Sequence, residues 1–464
     1  PKKRKWFTRI RVDAKKTRGR PCVFFCFAVS LCRLAAYTVS VMKMLIHIVK
    51  EGETVSAVAA RYGISREWLT ETNGLVGGGC LSTGQALAIV FPLVTHTVEA
   101  GETLYSIASR YGTSMKTLYK NNLHLRGMPE VYAGETLAIQ IECTPFGSRD
   151  IGGYAYPFIN KRILNTALPL MNALIPFTYG FTTEGALVVP DDEPLLARAA
   201  VYGTRPVMHL STLTENGVFS TENGTLLLSD RSLWYVLCDN VIENMNAKGY
   251  VGLDVDFEYL GKENASLYAG FIAYLRERLN AVGYTVTVAL APKVRDDQPG
   301  ILYEGHDYRA LGEAADSVLL MTYEWGYTYG PAQAVAPLPN VRRVIEYALT
   351  VIPAEKIYQG IPNYGYDFPL PYVAGESKAT SLSTREAYAL ACRTGSVIQY
   401  DPDALSPYFY YTADNKTHVV WFEDARSMRA KLYLPFEYGL KGALYWNLDR
   451  ENAQNLTVLN CYLN

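Results

Sequence analysis

Histidine is scarce in this chain, six in 464 residues, and no H-E-x-x-H pair or similar ligand spacing occurs, so neither a catalytic metal nor any other cofactor is expected. The eight cysteines are dispersed. Cys22, Cys26 and Cys32 lie near the N-terminus and Cys80, Cys143, Cys238, Cys392 and Cys461 stand far apart, which is neither a disulfide framework nor a zinc spacing. Charge is sparse as well, at 19% of residues, and unevenly placed. Residues 1–43 hold 12 Lys and Arg against the single acid Asp13, so a formal net charge of −1 for the whole chain leaves −12 on the remainder. A folded part that acidic excludes nucleic acid as its expected ligand.

Apolar residues make up 49% of the chain, enough at this length to bury more than one core, so two or more globular units are expected. Residues 1–20 are basic and Pro21 to Val41 is a mostly apolar run of about 21 residues broken by Arg33, close to the length of a membrane span. A basic stretch followed by an apolar one resembles a signal peptide or anchor, which would make the protein extracellular. No small-residue cleavage site follows, however, and Met42 and Met44 sit just before the first folded repeat. The expectation is that the folded protein starts near Met44 and that residues 1–43 are a non-native or signal-like extension.

An internal repeat begins at His47. HIVKEGETVSAVAARYG (His47 to Gly63) returns as HTVEAGETLYSIASRYG (His96 to Gly112), offset by 49 residues and identical at nine of 17 positions. Each copy reads as a short strand (Ile48-Val49, Thr97-Val98), a Gly-Glu-Thr turn, and a helix capped by Thr54 or Thr103 and stopped by Gly63 or Gly112. A second helix ending in Asn follows (Trp68 to Asn73, Leu118 to Asn122), and each copy closes with a strand, Gly84 to Ile89 and Gly134 to Ile139. The pattern resembles the LysM domain, a βααβ module that binds N-acetylglucosamine polymers, peptidoglycan or chitin. The resemblance covers residues 44–91 and 95–141, with a Pro/Gly-containing linker at residues 142–150.

From residue 151 to 464, strand-like apolar runs alternate with helical patterns, the rhythm of an α/β fold of the (β/α)8 TIM-barrel type. The strands are expected at Gly152 to Tyr156, Ala173 to Tyr179, Pro206 to Leu210, Tyr250 to Glu258, Thr285 to Ala291, Ser317 to Tyr323, Lys356 to Ile361 and Gly442 to Trp446. Helices are expected at Ser232 to Lys248 and Ala265 to Val282, and the long gap from Tyr366 to Tyr438 suggests a small inserted α+β subdomain. The fourth run carries the chemistry. Asp254, Asp256 and Glu258 alternate with Leu253, Val255, Phe257 and Tyr259, so on a strand the acids share one face. Burial and like-charge repulsion on that face would raise the pKa of at least one carboxyl, as a proton donor at neutral pH requires.

This run resembles the D-G-x-D-x-D-x-E signature of glycoside hydrolase family 18, with Val251 in place of the first Asp. The resemblance implies that Glu258 is the general acid and base, that Asp256 orients the substrate's N-acetyl group, and that Asp254 supports Asp256. Met321 to Glu324 is similar to the family's M-x-Y-D, which implies that Tyr323 bonds the N-acetyl carbonyl and places Glu324 where the family has Asp. Trp446 matches the tryptophan that floors the reacting-sugar subsite. Trp325, Tyr364, Tyr366 and Asp367 are further candidates for lining the pocket, and Trp421 to Asp424 for reaching it from the insertion. The implied reaction is substrate-assisted and retaining, with the 2-acetamido group as nucleophile.

Two LysM-like repeats before such a barrel, with M-T-Y-E-W-G and W-F-E-D-A-R, resemble the bacterial spore cortex-lytic N-acetylglucosaminidases. That resemblance implies a protein acting on peptidoglycan at the spore coat, cortex or cell wall, and a monomer is expected. A chitinase or vegetative wall glucosaminidase, and an inactive wall-binding lectin, are the alternatives.

Overall fold

A computed structural model describes residues 44–75 and 79–463, so the expectations for residues 1–43 lie outside the described residues. The first repeat consists of β1 (Leu45–Ile48), α1 (Val55–Tyr62), α2 (Arg66–Asn73) and β2 (Ala86–Ile89). The second consists of β3 (Pro92–Thr97), α3 (Leu104–Arg110), α4 (Met115–Asn121) and β4 (Thr136–Ile141). In both, the first strand pairs antiparallel with the last.

The residues common to the two copies do the same work in each. Thr54 and Thr103 cap the first helices by accepting from the N–H groups of Ala57 and Ser106. Gly63 and Gly112 follow those helices at φ 67° and 61°, a conformation that costs glycine little. His47 bonds Tyr62 and Glu53 at 3.2 and 2.8 Å, while Arg61 pairs with Glu53 at 2.7 Å. The His96, Tyr111, Glu102 and Arg110 set repeats this arrangement. Asn73 and Asn122 each clamp the closing strand by a reciprocal pair of bonds to the backbone of Ala88 and Ala138. Several boundaries differ from expectation: the second helices begin at Arg66 and Met115, and the closing strands begin at Ala86 and Thr136, the latter running on to Ile141. The first strands end at Ile48 and Thr97, because the ladder runs upstream from there to place Leu45 opposite Ile89 and Pro92 opposite Ile141.

Beyond the linker, β5 (Asp150–Ala155), β6 (Ala173–Pro176), β7 (Arg205–Pro206), β8 (Met208–Ser211), β9 (Gly252–Asp256), β10 (Thr285–Leu290), β11 (Ser317–Leu320) and β12 (Ile357–Pro362) follow in order. An antiparallel sheet of β13 (Gly365–Leu370), β14 (Thr380–Leu382), β15 (Gln399–Asp401), β16 (Ser406–Ala413) and β17 (Lys416–Trp421) intervenes before β18 (Gly442–Trp446). The parallel sheet runs β8-β9-β10-β11-β12-β18-β5-β6-β7. Since β7 and β8 are halves of one strand interrupted at Val207, the sheet closes on itself as a TIM barrel. Every expected barrel strand is present. The insertion is shorter than expected: it ends at Trp421, and the helix Ala425–Glu437 packs on β12 and β18 as a barrel helix. Asp424 makes the switch by accepting from the N–H groups of Arg426 and Ser427.

The repeats are docked on the barrel. Thr457 and Gln454 of the last helix (Ala453–Tyr462) donate to Thr72 O at 2.7 Å and Asn73 Oδ1 at 2.9 Å, and Asn460 donates to Asn121 at 3.0 Å. Ile398 N donates to Thr83 O at 2.8 Å, and the backbones meet so closely that a Cβ on Gly84 would lie 1.8 Å from Ile398 O. Although no framework was readable in the cysteine spacing, Cys80 and Cys392 form a disulfide across this junction, 312 residues apart. His124 of the second repeat bridges Glu71 of the first and its own neighbour Glu135, each at 3.0 Å.

Candidate active site

Alternation along β9 sends Leu253, Val255 and Phe257 outward into the layer beneath the helices, where all three are fully buried. Asp254 and Asp256 therefore face the barrel interior. Asp254 is 1% exposed and accepts a 2.6 Å hydrogen bond from the hydroxyl of Tyr154 on β5. His209 on β8, paired in register with Asp254, places Nε2 3.8 Å from Asp254 and 3.7 Å from Asp256. Its Nδ1 lies 2.6 Å from the hydroxyl of Thr178. Burial pushes the Asp254 carboxyl up to about 6; His209 and Tyr154 oppose that rise and Asp256 adds to it.

Glu258 stands two residues past the end of β9, at the C-terminal mouth where TIM barrels carry their chemistry. Burial, then the negative charges of Asp256 and Glu324, push its carboxyl up to about 8. A carboxyl in that state is protonated at neutral pH and can donate. Tyr323, past the end of β11, is buried, and its phenol is held well above its ordinary value by burial and by Asp256 and Glu258. It therefore remains a donor. Gly360 on β12 makes room for its ring, since a Cβ there would lie 2.6 Å from it.

Glu324, at φ 64°, accepts from the hydroxyls of Tyr364 and Tyr366, the latter at 3.1 Å. Trp446 at the end of β18 meets Phe177 edge to face at 4.8 Å and Tyr154 at 5.4 Å. Tyr154, Tyr323, Tyr364 and Tyr366 form one buried cluster, against which Phe177, Trp421 and Trp446 pack. Flat rings beside carboxyls and hydroxyls suit a pyranose, whose faces are apolar and whose rim is polar.

Two candidates stand elsewhere. Asp367 lies on the far face of β13, because Tyr366 and Phe368 take the cleft side; it is held there by Tyr411 and by His418 at 2.9 Å. Trp325 packs against the outer core, and its backbone N–H donates to Val335 O at 3.0 Å. In the segment 421–424, Trp421 stacks on Tyr408 at 4.6 Å beside the cleft, Phe422 is core, Glu423 pairs with buried Lys431 at 2.8 Å, and Asp424 caps its helix. Tyr154, Phe177 and His209 were not singled out from sequence. Inward register was the available signal, since Tyr154 and His209 both fall within expected strands.

The model of glycosyl hydrolases family 18 matches residues 225–451, and the LysM model matches residues 47–90 and 96–140. The cortical fragment-lytic enzyme of Bacillus subtilis is 40% identical over 430 residues, spanning 91% of this chain and 98% of that protein. The chain belongs to glycosyl hydrolases family 18. It is a glycosidase of that family with two LysM domains ahead of its barrel. The spore cortex-lytic enzymes SleL of Bacillus megaterium and Bacillus cereus have crystal structures that superpose with a TM-score of 0.76 each, at 31% and 30% identity. Those alignments cover 90% and 91% of this chain and 98% of each of those.

Proposed function

We propose that this glycosidase is an N-acetylglucosaminidase that cleaves peptidoglycan fragments of the spore cortex by a retaining, substrate-assisted mechanism, acting at the cortex or cell wall. The observation that carries the reading is Glu258, a carboxyl kept protonated at neutral pH beside Asp256 and the Tyr323 hydroxyl. Glu258 protonates the glycosidic oxygen while the 2-acetamido carbonyl of the substrate attacks the anomeric carbon, forming an oxazolinium ion. Asp256 accepts from the amide N–H and stabilises the positive charge that develops there. Tyr323 donates to the carbonyl oxygen, and Trp446 supports the apolar face of the ring. Glu258, now ionised, takes a proton from the water that opens the oxazolinium. Asp254, held by Tyr154, supports Asp256 electrostatically, with His209 Nε2 within 3.8 Å of both acids. The LysM domains raise the local concentration of the barrel at a wall polymer, and kinship with cortical fragment-lytic enzymes supports the cortex as that polymer.

The test is digestion of muramidase-fragmented cortex peptidoglycan and of chitin, with products identified by mass spectrometry after reduction. New N-acetylglucosamine reducing ends from cortex fragments are expected. Release from chitin alone would make the protein a chitinase, and binding of both without release from either would leave a wall-binding lectin.

A further inference from the structure

Beside the catalytic mouth, the two LysM domains and the barrel enclose a second cleft of about 710 Å³. It borders the sugar site, since Asn363, which lines it, donates its backbone N–H to Trp446 O at 3.1 Å. The loop after β5 carries Tyr156 and the exposed Phe158, stacked at 5.0 Å with Tyr156 6.1 Å from Trp446, and reaches the cleft at Asn160, after which the helix Lys161–Ala167 lines it with Arg162. The loop after β18 leaves Trp446 and lines the cleft from Leu448 onward. A ligand extending from Trp446 past Tyr156 and Phe158 would meet the edge of this cleft at Asn160.

Its cationic lining contrasts with the net acidity of the folded chain. Arg126, Arg162, Arg385 and Arg450 reach it, against only Glu71 and Glu451. Both acids are engaged, Glu451 by Arg385 and Glu71 by His124 at 3.0 Å, and Arg450 donates to Ser381 at 2.6 Å. Arg126 and Arg162 have no side-chain partner among the described residues, and Arg126 sits at φ 50°, a backbone conformation rare outside glycine. The surface between them is mixed, with Leu75, Leu125 and Ile163 beside Thr70, Asn160 and Thr166. Free guanidinium groups beside both apolar and hydrogen-bonding side chains suit a peptide that bears carboxylates, and a neutral N-acetylglucosamine polymer offers no such charge.

We propose that this cleft binds the carboxylate-bearing peptide stem of a peptidoglycan fragment whose sugar lies over Trp446, with Arg126 and Arg162 gripping the carboxylates. The proposal rests on the peptidoglycan reading of the barrel. It makes the LysM domains part of the substrate site as well as tethers, since Arg126 belongs to the second of them.

The test compares muramidase-released fragments with the same fragments stripped of peptide by an amidase, using the full chain and its Arg126→Ala/Arg162→Ala form. Both arginines are exposed, so the fold should survive, which circular dichroism checks. Wild type should prefer peptide-bearing fragments in KM by roughly tenfold, and the double variant should lose that preference. Arg126→Lys/Arg162→Lys should keep part of it, because lysine preserves the charge without the bidentate fork. Calorimetry on Glu258→Gln separates this proposal from the catalytic reading. Arginine-dependent binding of peptide-bearing fragments that wild type fails to hydrolyse would leave the cleft and remove the hydrolase. Hydrolysis with equal KM for both fragment types, unchanged by the arginine substitutions, would overturn the cleft.

Discussion

Glu258 is useful because ionising it is costly where it sits. In the proposed mechanism the proton it holds below about pH 8 is the one given to the leaving group, and above that pH the proton is lost. The alkaline limb of kcat/KM should therefore fall near pH 8. Glu324 is one source of the raised value, so Glu324→Gln should move that limb to lower pH, and a limb unmoved by the substitution would show that Glu324 exerts no field on the acid. Tyr154→Phe removes the donor that favours the ionised form of Asp254 and should raise that carboxyl further, at a cost of about 1.5–3 kcal/mol in stability by thermal unfolding. At this scale the sequence was most legible where chemistry is local. Asp254, Asp256 and Glu258 declare themselves by alternation within one strand, whereas Tyr154 and His209 reach them from other strands, Tyr154 from 100 residues away. Only the closed sheet and its register bring those residues in.

Element positions are set by the same alternation. Tyr366 and Asp367 are neighbours, yet the pleat of β13 gives one to the cleft and the other to His418 and Tyr411. Both looked equally suitable in sequence because the orientation of an inserted strand cannot be read before its sheet is known. The barrel strands were legible since each is a short apolar run in a regular alternation with helices. The end of the insertion was not, because a capped helix that returns to the barrel has the same local pattern as one belonging to the subdomain. Gly360 shows how closely adjacent strands fit. A methyl group there would lie 2.6 Å from the ring of Tyr323 and 2.7 Å from Leu320 O, so Gly360→Ala should shift both the ring and its strand end and lower kcat by about 10²-fold while the far-ultraviolet spectrum stays native. Unchanged turnover would mean that the position of Tyr323 is unimportant.

Across the whole molecule, two LysM domains and a barrel are held as one body by a disulfide and a set of buried hydrogen bonds. Cys80 and Cys392 lie too far apart in sequence for spacing to pair them, and only folding the insertion against the first LysM domain brings them together. Reduction, or Cys80→Ser, should lower stability by on the order of 2–5 kcal/mol, read as a drop in Tm; an unchanged Tm would show that the bridge adds nothing to the docking. The central claim is that Glu258 drives a retaining cleavage assisted by the substrate's own acetamido group. The measurement that tests it most directly is proton NMR of fresh product from cortex fragments, with Glu258→Gln alongside. The β-anomer should appear first with the wild type and mutarotate afterwards, and the variant should lose activity by 10²-fold or more, as removal of a general acid does. An initial α-anomer, or a variant as active as the wild type, would contradict it.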